Sequence, residues 1–516
     1  MLGMILFILL MIVAVVAFVL IVLEVRKTIK GNVAYVDYKG LIKKSLLYGG
    51  VGTASFTVAL GFIYLWAGIT PQFWEVLFTV ICGSLLYSNI TAFYVTFRTH
   101  YYIEKPVEID KHLFRVLMIT IPVMILSLFY VFNGFANYMH YPIPNGISFT
   151  EGFTYPNKSH SGLTIAFYAI CILAGAIFVY FLSDHRMYQQ YGKHGTIEST
   201  FFVAFPAGII GARLWYVIGN WYVDGYNENP IRMFYIWEGG LTILGGAIMG
   251  IVVGVLWFMW RNKKLSIWVA VDMIVPTILL AQAIGRLGNF FNTEVHGNPV
   301  PISSWSWLPM IVYKNGVYSS SYTGALTDGT FYLPLFLIEG LINIAGYFII
   351  TSLFGKTLRK YTELGDLAFG YVAWYGLTRL LLEPLRDVNY NMGSGGYWSW
   401  IFSGIFLFAG SLLILGNHIV RYLLRKRQNN LKSTQKGAKN SLIATISIGG
   451  VALAITVLGA VLMIVSKPET SFLAYNNFNF GIIFLIIGLS IMLIAVCALI
   501  YYLEIRMSEG VQNEQI

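Results

Sequence analysis

The sequence predicts an all-α, polytopic transmembrane protein of about 13 spans. Three observations predict it. Only 11% of the 516 residues are charged and 57% are hydrophobic, whereas soluble chains carry about 25% charged residues. Apolar runs of about 20 residues, the length that crosses hydrocarbon, recur along the chain. Lys and Arg gather in every second interval between those runs.

The spans fall at 3–24, 45–68, 75–95, 116–135, 163–183, 198–219, 240–260, 266–284, 331–353, 367–384, 399–420, 441–466 and 478–502. Backbone groups in lipid must be satisfied internally, which makes each run a helix. Alternate loops counted from the first span hold most of the 34 Lys and Arg. Lys158, Arg232, Arg286, Lys314, Arg386 and Lys467 lie on the other side, and Arg213 and Arg379 fall within spans. Basic loops face the cytoplasm, so the N-terminus is expected outside and the C-terminus inside. The first run has Arg26, Lys27 and Lys30 after it and no basic residue before it. That pattern reads as a retained span rather than a cleaved leader.

Four regions follow from where the polar chemistry lies. Residues 1–135 form an N-terminal membrane extension of about four spans. Residues 136–425 form a core of about seven spans with nearly all the unusual polar residues. A basic cytoplasmic linker covers 426–440, and a two-span C-terminal extension covers 441–516. The net charge of +10 is a topology signal that also suits anionic inner-leaflet lipid, and no nucleic-acid partner is implied. Cys82, Cys171 and Cys497 sit in apolar runs, so they read as packing residues. There is no His-Glu-x-x-His zinc motif, no Gly-x-Ser-x-Gly elbow and no phosphate-binding Gly-x-x-x-x-Gly-Lys loop. No cofactor or metal is expected.

Charged residues inside a membrane are expensive and usually functional. The eighth span leads into an outer loop, beginning at Gly285, that contains Arg286, Asn289, Asn292, Glu294, His296 and Gly297. A guanidinium fork suits phosphate, but an interface Arg can also simply snorkel to headgroups. Arg379, Glu383 and Arg386 share one helical face at i, i+4 and i+7. Pro384 between them should kink or end that helix. This group is either a binding site or a structural ion pair closing the helix. A third segment runs from Trp237 and Glu238 through Gly239 and Gly240 to Gly246. Gly246, Gly250 and Gly254 are spaced to pack closely on another helix. The outer parts of neighbouring spans add Arg213, Gly211, Tyr216 and Tyr168. Topology places all of these groups at one outward side.

The run Gly285-Arg286-Leu287-Gly288-Asn289-Phe290-Phe291-Asn292-Thr293-Glu294-Val295-His296-Gly297 resembles the signature of the phosphatidylglycerol–prolipoprotein diacylglyceryl transferase family. Segments 237–246 and 379–386 resemble that family's further motifs, in the same order. The resemblance covers about 136–425. It implies a seven-helix catalytic core in a bacterial plasma membrane. It implies transfer of the diacylglyceryl group of phosphatidylglycerol to the lipobox cysteine thiol of a prolipoprotein, with glycerol phosphate leaving. Arg286 and Arg379 then correspond to the family's two site arginines and are the expected catalytic residues. Arg286, Asn289, Glu294, Gly297, Glu383, Arg386, Tyr168, Gly239 and Gly240 are the expected substrate-binding positions.

The chain departs from the family pattern at Leu244, where many members carry His and others Tyr. Leucine cannot take a proton, so a general base, if one is used, lies elsewhere; Glu294 and His296 are the candidates. Two other readings stand beside the transferase. A secondary transporter would suit the span number, but it should show an inverted repeat with paired broken helices, and none is visible. A family member without catalysis would serve as a lipid-binding scaffold.

Overall fold

The computed structural model describes residues 2–30, 35–67, 80–81, 83–88, 90–92, 94–95, 141–148, 152–156, 158, 164–191, 197–235, 239–263, 265–321, 325–327, 329–390, 397–432, 437–466 and 477–513. The expected span at 116–135, the boundary near 135, Cys82, Trp237 and Glu238 lie outside them. Among the described residues, nine helices are long and apolar enough to cross a membrane. They correspond to expected spans, as do the shorter apolar helix Gly245–Arg261 and the helix Asp366–Leu382. The protein is therefore all-α and polytopic.

The chain forms two compact units. The first comprises Met1–Ile143, Val300–Tyr318 and Leu326–Phe331. Its helices α1 (Leu2–Lys30) and α2 (Tyr35–Ala67) run together. Ile21, Val25, Leu41 and Val95 form a core cluster. The Tyr87 hydroxyl donates to the Ala14 carbonyl at 2.6 Å. Gly52 admits the Tyr87 ring where a side chain would collide with it.

The second unit comprises Pro144–Pro299, Ser319–Ala325 and Tyr332–Ile516. It opens with a small antiparallel sheet of β1 (Gly146–Ser148), β2 (Gly152–Thr154) and β3 (Thr164–Ala166), with β1 central. Then come α3 (Phe167–Tyr191), α4 (Glu198–Gly219), α5 (Ile243–Arg261), α6 (Ile267–Ile274), α7 (Ile278–Asn292), α8 (Leu335–Phe348) and α9 (Asp366–Leu382). The long helices α10 (Tyr397–Arg427), α11 (Gly437–Val465) and α12 (Asn477–Asn513) complete it. The expected C-terminal extension is thus part of the same compact unit as the polar core.

The glycine stripe of α5 does what its spacing implies. Gly246 and Gly250 face the backbone of Gly208 on α4, and Gly254 faces Ala204. Without Cβ atoms the two helices approach to backbone contact, which maximises dispersion in lipid.

At one end of α9 the carboxylate of Asp272, from α6, accepts from the Gly365 and Ala368 amides at 2.7 and 3.0 Å. Those amides have no partner within the helix, so Asp272 anchors its start. On the same side of the unit, Arg425 pairs with Glu363 at 2.9 Å and with Glu504 at 2.6 Å. Lys432 pairs with Glu363 at 2.7 Å. Burial pushes the Glu363 carboxyl up, but Lys432 and Arg425 outweigh it and hold it below the usual range. These pairs tie α12 and the basic linker to the loop that precedes α9.

Candidate active site

The signature segment is more helical than expected. The loop predicted to begin at Gly285 begins only after Asn292, because α7 continues to that residue. A short 3-10 turn at Val275–Thr277 separates α6 from α7. Arg286 and Asn289 are consequently one turn apart on one helix, and Arg286 Nη1 donates to Asn289 Oδ1 at 3.1 Å. Gly288, having no side chain, lets α3 lie against this last part of α7. A Cβ there would come 2.3 Å from the Tyr168 ring and 2.9 Å from its Cα. Tyr168 of α3 therefore lies directly on α7.

After α7 the chain turns through two strained residues. Thr293 and Val295 have φ of 50° and 54°, and the left-handed region is costly for a β-branched side chain. Between them, Glu294 Oε1 accepts from the amides of Asn289 and Asn292, both at 3.1 Å. Strain of this kind persists only where surrounding contacts enforce it. Here the Glu294 amide bonds the Asn289 carbonyl at 3.0 Å and the Thr293 carbonyl accepts from Ser320 at 2.9 Å.

The other arginines come from the end of α9. Pro384 ends that helix at Leu382, and residues 383–385 form a single 3-10 turn. Arg386 follows in extended conformation and bridges to Gly297. So Arg386 leaves the helix that the i, i+4, i+7 spacing implied, yet it stays beside Glu383. Arg379 Nη2 hydrogen-bonds Glu383 Oε1 at 3.4 Å and lies 3.0 Å from Oε2. Arg386 Nε is 3.8 Å from the same Oε2.

Glu339 of α8 joins the two groups. Its Oε1 accepts from Arg286 and its Oε2 from Arg386, the latter at 3.2 Å. Each buried carboxylate is thus shared by two guanidiniums, and three cations face two anions. Arg286 and Arg379 keep 21% and 16% of their side-chain surface exposed, while Arg386 keeps 5%. The first two can therefore reach a ligand, and Arg386 acts as an internal strut. Glu339 was not singled out from the sequence. A lone carboxylate in an apolar span was the available signal.

His296 is occupied. A carbonyl can only accept, so the contact of Nδ1 with the Gly297 carbonyl at 3.1 Å puts the ring proton on Nδ1. Nε2 then accepts from the Ser319 hydroxyl at 2.8 Å. The ring lies against Tyr332, tilted by 31° with centroids 3.8 Å apart. Burial lowers its proton affinity below the usual histidine value. This imidazole holds the loop; its basic lone pair is already used. Gly297 has no room for a side chain between the Leu385 carbonyl and Leu333.

The third expected segment gathers on α4. Gly240, at φ 62°, lies against Tyr216 and Arg213 of α4. Arg213 donates to the carbonyls of Arg232 and Gly239, both at 2.7 Å, and of Met233 at 2.9 Å. Its guanidinium is buried and spent on the carbonyls of Arg232, Met233 and Gly239. A cavity of about 320 Å³ lies beside it, lined by Arg213, Tyr216, Asp224, Tyr226, Arg232 and Gly240. The side chain of Leu244 lies outside the described residues. Among the described residues no group of three or more His, Cys, Asp or Glu is placed to hold a metal.

The family described as prolipoprotein diacylglyceryl transferase matches residues 158–416. Similar chains named phosphatidylglycerol–prolipoprotein diacylglyceryl transferase include one from Halalkalibacterium halodurans, 35% identical over 251 residues, 49% of this chain and 81% of that protein. One from Clostridium novyi is 37% identical over 258 residues, 50% of this chain and 93% of that one. One from Streptococcus suis is 32% identical over 269 residues, 52% and 91%.

Proposed function

The chain belongs to the prolipoprotein diacylglyceryl transferase family, and from that premise we propose that the α7–α9 cluster is its transfer site. The enzyme is a membrane transferase of lipoprotein biosynthesis. It moves the diacylglyceryl group of phosphatidylglycerol to the cysteine thiol of a prolipoprotein. The observation that carries the site is the pair of partly exposed guanidiniums, Arg286 and Arg379, braced from behind by Glu339 and Glu383.

In the proposed reaction the lipobox thiol attacks a glyceryl carbon of phosphatidylglycerol. The new C–S bond forms as the C–O bond to phosphate breaks, and glycerol phosphate leaves. Arg286 binds the phosphate and Arg379 stabilises the charge that grows on the leaving oxygen. Both are preorganised, because their counter-ions are fixed before substrate arrives. A free thiol has a pKa near 8.5, and a cationic site lowers it. Glu294 is partly exposed and is the better acceptor for the thiol proton, since His296 is already engaged. Asn289 orients the headgroup, and Tyr168 and Gly297 shape the site. Gly239 and Gly240 act through the Arg213 turn rather than at the reacting atoms. The site faces the outer side of a bacterial plasma membrane, with the N-terminus outside and the C-terminus in the cytoplasm. Residues 136–425 carry the chemistry and 1–135 are an accessory membrane region.

The test is reconstitution of the full chain with phosphatidylglycerol and a lipobox peptide. Mass spectrometry should find a diacylglyceryl thioether on the peptide cysteine. Arg286→Ala and Arg379→Ala should each lower the rate by about 10²–10³. Near-normal activity in either variant removes that arginine from the mechanism.

A further inference from the structure

The end of α9 raises a hydrogen-bonding problem that the family resemblance does not address. In an α-helix the Leu380 carbonyl would accept from the amide of residue 384, but Pro384 has no N–H. Leu380 is fully buried, and an unpaired buried carbonyl is costly. The indole of Trp400, on α10, supplies a donor. Its Nε1 lies 3.2 Å from the Leu380 oxygen.

We infer that Trp400 is a positioning residue for the transfer reaction: its indole N–H replaces the donor that Pro384 removes, and so fixes the helix end that carries Arg379 and Glu383. Leu380 is the residue after Arg379, so any tilt of this turn moves the guanidinium. The indole has little freedom. It is packed in a buried cluster with Leu380, Leu407 and Ile483. The helix carrying it is held close to α9. A Cβ on Gly376 would lie 2.2 Å from the Leu407 nitrogen, and one on Gly410 would lie 2.4 Å from the Ala373 nitrogen. A Trp near a span end is commonly an interface anchor. Trp398, 54% exposed, has that character; Trp400, 3% exposed, does not.

Ile483 belongs to α12, beyond the stretch 158–416 that matches the family. The C-terminal helix therefore supports the site. It wedges the indole at the Arg379 end of α9, and its Glu504 joins the Arg425 ion pairs on the side where α9 begins.

The inference rests on the transferase reading, and the experiment separates the two. The full chain and its Trp400→Phe variant are assayed in phosphatidylglycerol vesicles with a lipobox peptide. Phenylalanine keeps a ring and loses the N–H. Trp400→Phe should lower kcat by about 5- to 10-fold with little change in KM, as loss of one positioning hydrogen bond implies. Pro384→Ala returns a backbone N–H to position 384. In that background Trp400→Phe should cost less than about 2-fold, because the donor is no longer needed. Equal losses in both backgrounds mean that only ring volume matters, and they overturn the inference, as does an unchanged kcat in the single variant. If the unmutated chain transfers nothing, the transferase reading fails and amide exchange decides the positioning role. Faster exchange across 382–387 in Trp400→Phe, restored in the double variant, sustains it; unchanged exchange overturns it.

Discussion

Glu339 and Arg386 pair at 3.2 Å although both side chains are almost fully buried. A pair like this is weak evidence for stability, but breaking it strands a charge. Glu339 also holds Arg286, so one carboxylate links the guanidinium proposed to meet substrate to the strut behind it. Glu339→Ala should destabilise the protein by about 3–5 kcal/mol, read as a lower unfolding midpoint in detergent. Glu339→Gln keeps the shape and removes the charge. It should fold and yet lose activity, by roughly 10-fold or more, as Arg286 loses its charge-assisted partner. Full activity in Glu339→Gln would show that Arg286 needs no fixed counter-ion.

Arg379 offers a test of geometry rather than charge. Lysine is a point charge without the planar fork. It cannot pair with Glu383 and present a second donor edge to phosphate in the same way. Arg379→Lys should therefore recover only a small part of the activity that Arg379→Ala loses. Rates of the two variants side by side decide this; equality of Lys with Arg would mean that charge alone suffices.

Gly288 and Tyr168 separate packing from chemistry. Gly288→Ala places a methyl 2.3 Å from the Tyr168 ring and 2.9 Å from its Cα, so α3 must move away from α7. Overpacking of this kind costs about 1–3 kcal/mol, and it displaces Arg286 as well. Tyr168→Phe keeps the ring on Gly288 and removes only the hydroxyl. A stable protein with reduced activity in Tyr168→Phe assigns the hydroxyl a part in the site. A stable protein with normal activity leaves the residue a packing role only.

His296 predicts a pH dependence of stability. Burial holds its folded pKa below the ordinary value, which is near 6.5 when unfolded. Between those values the unfolded chain binds more protons than the folded one, so stability rises with pH. The contribution is fully present above about 6.5 and is lost as pH falls toward the folded pKa. Unfolding midpoints measured from pH 7.5 down to 5.5 should drop less steeply in His296→Gln. Parallel slopes for the two proteins would show that His296 is not the titrating group.

The local parts of this picture are legible in the residues themselves. Apolar length and low charge give the spans, because lipid leaves a backbone no other solution. The spacing of Gly246, Gly250 and Gly254 gives a helix-packing face, and the structure uses it against α4. Pro384 announces the end of α9, and the signature around Arg286 marks the site proposed for transfer. Local patterns mislead where a partner is distant. Arg213 reads as one of the outward-side groups by its place in a span, and only the folded chain shows it spent on the backbone carbonyls of Arg232, Met233 and Gly239. His296 reads as a candidate base until Ser319 and Tyr332 are brought to it.

Sequence alone determined that this chain crosses a membrane many times and which family it resembles, and that resemblance singles out Arg286 and Arg379 as the proposed reactive cations. Those conclusions rest on composition, periodicity and contiguous motifs, which need no knowledge of what faces what. Tertiary structure decided that Glu339, 53 residues from Arg286, is its counter-ion, and that Trp400 caps the carbonyl left open by Pro384. Hydrogen bonds and ion pairs between helices depend on rotation and depth in the bundle. An apolar helix with one polar residue looks the same in sequence whichever neighbour satisfies that residue.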